Sequence, residues 1–99
     1  MIEYIQETLP TPELLAQLAE EAAELGHAAL KMRRVYDGTN PARISKEDAI
    51  KNLLEEIADV SLTIDLLGFN TEKDEAVCRE IMARKTDRWA DSLDWGAEG

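Results

Sequence analysis

Glu21 with Glu24 and Glu56 with Asp59 form two acidic pairs, the members of each separated by three positions, close to one helical turn. On two packed helices such pairs can face each other and hold divalent metal. Hard oxygen donors, with His27 the one histidine of the chain, select magnesium or manganese over zinc. Four carboxylates around a partly apolar groove repel one another at neutral pH, and protonation or a bound cation must relieve that cost. The ordinary reading of any single one is a helix-surface charge in a local pair, as Glu47 would make with Lys51.

Three helices can be drawn from their punctuation. Thr11 reads as an N-cap followed by Pro12, opening a helix to about Arg34, where Lys31, Arg33 and Arg34 suit the C-terminal dipole. Asp37-Gly38 and Asn40-Pro41 are turn signals, so Val35 to Ile44 reads as a connecting loop. Ser45 offers the next N-cap, with Asp48 placed for a capping-box contact, and that helix should stop at Gly68 in a left-handed cap. Thr71 opens a third helix that fades near Asp91, leaving Ser92 to Gly99 as a loosely held tail. No strand alternation, internal repeat or low-complexity tract competes with this all-α reading.

The apolar spacing sets which face each acid occupies. Leu14, Leu18, Ala22, Leu25, Ala29 and Met32 form one stripe at about 100° per residue, with Glu21 roughly 60° from its centre and Glu24 at its edge. Glu56 lies at the edge of a second stripe of Ile50, Leu53, Leu54, Ile57, Val60 and Ile64, and Asp59 lies just beyond it. Leu62 and Leu66 extend apolar character around that helix, which predicts that it also faces another subunit. In an antiparallel hairpin the two acidic pairs meet at the same height, because each lies about 10 to 14 residues from the connecting loop.

Ninety-nine residues with 44% hydrophobic content allow one small domain, with a core over about residues 11 to 91 and a burial deficit that oligomerisation, as a homodimer or homotetramer, would make up. The charge balance, 21 acidic against 11 basic residues for a net charge of −10, argues against binding nucleic-acid polymers or anionic membranes. A polyanionic substrate would have to be bridged by metal. Cys78 alone cannot form an internal disulfide and reads as a small hydrophobe in a reducing compartment. The N-terminal stretch carries acids before any apolar run, and no run approaches a membrane span, so the cytoplasm is the expected location.

The sequences Glu20-Glu21-Ala22-Ala23-Glu24 and Glu55-Glu56-Ile57-Ala58-Asp59-Val60, separated by 31 residues between Glu24 and Glu56, resemble the Glu-x-x-Glu and Glu-x-x-Asp motifs of the MazG-like all-α nucleoside triphosphate pyrophosphohydrolases. The resemblance covers residues 14 to 67 and, more loosely, the third helix. It implies hydrolysis of a ribo- or deoxyribonucleoside triphosphate to the monophosphate and pyrophosphate. Glu21, Glu24, Glu56 and Asp59 would hold Mg2+, or Mn2+, which neutralises charge at the α-phosphorus and activates a water. One of these carboxylates, or Glu20 or Glu55, would accept the water's proton. Lys85 and Arg88, clustered with Arg84, look like the family's phosphate contacts; their ordinary reading is surface pairing with Asp87 and Asp91. Asn52, Trp89 and Tyr36 are candidates for base recognition, although Trp89 and Trp95 also read as packing residues.

Three other readings stay open. Phosphoribosyl-ATP pyrophosphohydrolase is similar in length and has an acidic pair like Glu20 to Glu24, but the Tyr-His usual after its second motif is here Ser61-Leu62-Thr63. Glu24 and His27, with Glu56, could build a carboxylate di-iron centre in a helical dimer, against which His27 projects roughly 180° from the apolar stripe. A non-catalytic acidic module for a basic partner is the third.

Overall fold

A computed structural model of the chain describes the backbone of residues 1–39 and 44–98 and the side chains of 1–39 and 44–93. Asn40-Pro41 and the side chain of Trp95 lie outside these. Among the described residues the chain is all-helical: α1 (Ile2–Thr8), α2 (Thr11–Asp37), α3 (Lys46–Leu67) and α4 (Glu72–Glu98), with no strand. It divides into two compact units, Met1–Gly68 and Phe69–Gly99. Among the described residues no helix is long and apolar enough to cross a membrane.

The first unit is a helical hairpin with a short helix laid on one end. α1 was not expected from the sequence. Its seven residues are far below the length at which a helix persists alone, and it has no side-chain N-cap bond. It is held from a distance instead: Gln6 Nε2 donates to the Leu66 carbonyl oxygen at 3.0 Å, and Ile5 is half-buried. Leu9 ends it in an extended conformation, as a residue before proline must.

α2 begins one residue earlier than Thr11 as a cap would place it. Pro10 is the N-cap, and its carbonyl accepts from Glu13 N at 3.0 Å and Leu14 N at 3.2 Å. The helix also runs beyond Arg34, because the expected Asp37-Gly38 turn acts as its C-cap. Gly38 sits at φ 73°, and Asp37 Oδ1 accepts from both the backbone N and the hydroxyl of Thr39. These two bonds, the hydroxyl's first, hold the Asp37 pKa below its usual range.

α3 follows its expected bounds. The backbone N of Asp48 donates to Ser45 Oγ at 3.1 Å, and Gly68 caps the other end at φ 84°. Lys46 Nζ lies 4.3 Å from the centroid of the Tyr36 ring, so the first turn of α3 is pinned to the last turn of α2 by a cation–π contact. Glu47 and Lys51 are not among the ion pairs formed by the described residues.

The burial pattern corrects the expected stripe. On α2 the shielded positions are Leu14, Leu18, Glu21, Leu25, Ala28, Met32 and Val35, alternating in steps of four and three as in a two-helix seam, while Ala22 and Ala29 are exposed. On α3 the matching row is Ala49, Leu53, Glu56, Val60, Thr63 and Leu67, whereas Ile50, Leu54 and Ile57 point outward. Leu14 and Ala49 are the best-buried apolar residues, at 4% and 2% exposure. Buried Thr63 satisfies its hydroxyl on the Asp59 carbonyl at 2.8 Å. Both Glu21 and Glu56 therefore occupy positions in the seam rather than flanking it.

The second unit is α4. Thr71 caps it reciprocally with Asp74, accepting from its backbone N at 3.1 Å and donating to its carboxylate at 2.7 Å. The helix continues through the stretch expected to be a loose tail. Every described α4 side chain is exposed except the half-buried Asp74, and Cys78 is exposed rather than packed.

Candidate metal centre

A carboxylate in a helix–helix seam displaces a leucine-sized contact, and two such substitutions facing each other call for a compensating ligand. Tyr36 with Lys46, and Glu24 with Glu56, pair residues in opposite order along α2 and α3, so the two helices are antiparallel. That register brings the acidic pairs to one height. One oxygen from each of Glu21, Glu24, Glu56 and Asp59 lies within 4.8 Å of the other three, with Glu21 and Glu56 half-buried and Glu24 and Asp59 exposed.

The individual oxygens differ in their partners. Glu21 Oε1 accepts from Gln17 Nε2 at 2.7 Å, one turn earlier on α2. Glu21 Oε2 and Glu56 Oε2 are both buried and have no hydrogen-bond partner. Buried carboxylate oxygens left without a donor are costly, and a cation is the partner that suits two of them at once. Glu24 carries the electrostatic consequence: its pKa is raised, chiefly by the charge of Glu21, then by desolvation and by the charges of Glu56 and Glu20. Oxygens trans to each other across a magnesium octahedron stand about 4.2 Å apart at bond lengths of about 2.1 Å. The observed spread is slightly wider, a difference that side-chain rotation can close. The donor set therefore fits magnesium or manganese.

A cleft of about 230 Å³ opens beside the cluster, lined by Glu24, His27, Ala28, Lys31, Asn52, Glu55 and Glu56. Of the sequence-predicted residues, Asn52 and Glu55 are brought to this cleft. Glu20 is exposed and is neither one of the four converging acids nor part of the lining; it acts on the site through its charge on Glu24. Lys85, Arg88 and Trp89 belong to α4, all exposed, with Trp89 at 72%. The suggested pairing of Lys85 or Arg88 with Asp87 or Asp91 is absent among the described residues, where the one ion pair of α4 joins Arg79 to Glu75.

His27 is exposed, yet it lines the cleft instead of pointing directly away from the site. The shift of the seam by one residue explains this, since Ala28 rather than Ala29 faces α3. It is not one of the four converging donors found among the described residues. Lys31 is the cleft residue that sequence reasoning placed only at a helix end. Its signal was available: it lies seven positions, close to two turns, after Glu24. No protein-family model, curated protein or solved structure matches this chain.

Proposed function

We propose that this protein is a magnesium-dependent nucleotide pyrophosphohydrolase of MazG-like type, cleaving ribo- or deoxyribonucleoside triphosphates to monophosphate and pyrophosphate in nucleotide-pool control or house-cleaning. The observation that carries the reading is the convergence of Glu21, Glu24, Glu56 and Asp59 with two of their oxygens buried and unpartnered. The motif resemblance supplies the reaction class, and the chain's strong acidity requires a metal between protein and polyphosphate.

Magnesium held by these four residues would supply charge neutralisation at the phosphate oxygens and a lowered pKa for the attacking water. Gln17 fixes the orientation of Glu21 through its bond to Oε1. Glu55 lines the cleft between the cluster and its outer end, and among the non-ligand acids it is better placed than Glu20 to take a proton from water. The resemblance alone suggests Lys85 and Arg88 as phosphate contacts and Trp89 as a contact for the base.

Oligomerisation belongs to the same proposal. Leu54 is 59% exposed, and Ile50 and Ile57 beside it are exposed on the same side of α3, a face that a second copy would cover. Phosphorus NMR of the protein with magnesium and a panel of nucleoside triphosphates tests the activity. Monophosphate with pyrophosphate is the expected product pair; diphosphate with orthophosphate, or no turnover with any base, would overturn it.

A further inference from the structure

The cleft beside the carboxylate cluster has a second, opposite chemical end. Glu24 and Glu56 belong to both the cluster and the cleft, so a ligand oxygen at the metal donors is continuous with the cleft space. Lys31 lines the same cleft from the same side of α2 as Glu24, about 10 Å further along the helix axis. Although Glu24, Glu55 and Glu56 line the cleft with it, Lys31 is in none of the ion pairs formed by the described residues. Its ammonium therefore remains available to a ligand. At about 230 Å³ the cleft is smaller than the roughly 300–1,000 Å³ that encloses a drug-sized molecule. It suits a phosphate chain with the nucleoside outside.

From this we infer that the cleft is a polyphosphate subsite in which Lys31 receives the phosphate end remote from the metal donors, the part that leaves as pyrophosphate. The cation that meets the leaving group is then supplied by the hairpin itself. Asn52, across the cleft on α3, donates its amide to a phosphate oxygen rather than reading the base. Glu55 repels a bare anion, so pyrophosphate should enter only as its metal complex. The inference rests on the metal centre proposed above.

The test separates the two. Binding of Mn2+ alone, by electron paramagnetic resonance, and of pyrophosphate in the presence of Mn2+, by calorimetry, is measured for the parent, Lys31→Met, Lys31→Arg and Lys51→Met. Lys51 is exposed on α3 and outside the cleft, so its variant removes the same charge elsewhere. Lys31→Met should bind Mn2+ as the parent does, within about twofold, and lose at least about tenfold in affinity for pyrophosphate, as expected when a hydrogen bond to a charged group is removed. Lys31→Arg should restore most of it and Lys51→Met should match the parent. Normal Mn2+ binding with undiminished pyrophosphate affinity in Lys31→Met, equal loss in Lys51→Met, or a parent that binds Mn2+ but no pyrophosphate would each overturn the subsite and leave the metal centre standing. A parent that binds no Mn2+ would overturn both.

Discussion

α2 and α4 are each 27 residues long, yet their side chains meet different surroundings. α2 buries Leu14 and half-buries the rest of a regular seam against α3, and it places Glu21 inside that seam. α4 has its own apolar positions, and the described ones, among them Val77, Ile81, Met82 and Leu93, are exposed. The contrast teaches where to look for chemistry. In the hairpin, two positions of a largely apolar seam carry carboxylates, Glu21 and Glu56, and both face the same point. In α4 the charged residues obey the ordinary rule of an exposed helix, and nothing local singles out Lys85 or Arg88.

The largest expected difference between the two regions is in turnover. Glu56→Gln should lower kcat by about 10³-fold with helicity intact, because a lost metal ligand removes several kcal/mol of transition-state stabilisation. Lys85→Met or Arg88→Met should cost about tenfold, the scale of one charge-assisted contact. Steady-state kinetics with circular dichroism checks both, and equal losses would put the α4 cations on the same footing as the metal ligands.

Stability should divide in the same way. Leu14→Ala should destabilise by about 2–3 kcal/mol in urea denaturation, since it removes a buried side chain from the seam. Met82→Ala, on exposed α4, should stay within about 0.5 kcal/mol. A comparable cost for Met82→Ala would mean that α4 is covered in solution. Ser45→Ala should cost about 1 kcal/mol through loss of the cap bond to Asp48.

The smallest effect is a pH dependence. Because the Glu24 pKa is raised in the folded chain, its contribution favours folding below the ordinary carboxylate range and is lost as pH rises through the raised value. The melting temperature of the metal-free parent relative to Glu24→Gln should accordingly fall as pH rises through that window, and saturating magnesium should flatten the difference. Asp37 has the opposite sign: its lowered pKa contributes stability at neutral pH that disappears only in stronger acid.

Much of this arrangement was legible in the chain because capping chemistry is local. Ser45 with Asp48, Gly68 and Thr71 each announced a helix end within a few residues. The acidic pairs were legible for the same reason. The seam was misplaced by one residue because counting apolar side chains favours Ala22 and Ala29, whereas the helices pack along Glu21 and Ala28. A charge held in a seam cannot be found by hydrophobic pattern. α1 was missed because its anchor, the bond from Gln6 to Leu66, spans 60 residues of sequence. Lys31 was overlooked because the corrected seam is what turns the 24–27–31 side of α2 toward the cleft.

The most direct test of the central claim is hydrolysis of a nucleoside triphosphate in ¹⁸O-enriched water, with magnesium, followed by phosphorus NMR. Attack at the α-phosphorus predicts the isotope shift on the monophosphate signal and none on pyrophosphate. Label in pyrophosphate, or products other than this pair, would exclude hydrolysis at the α-phosphorus.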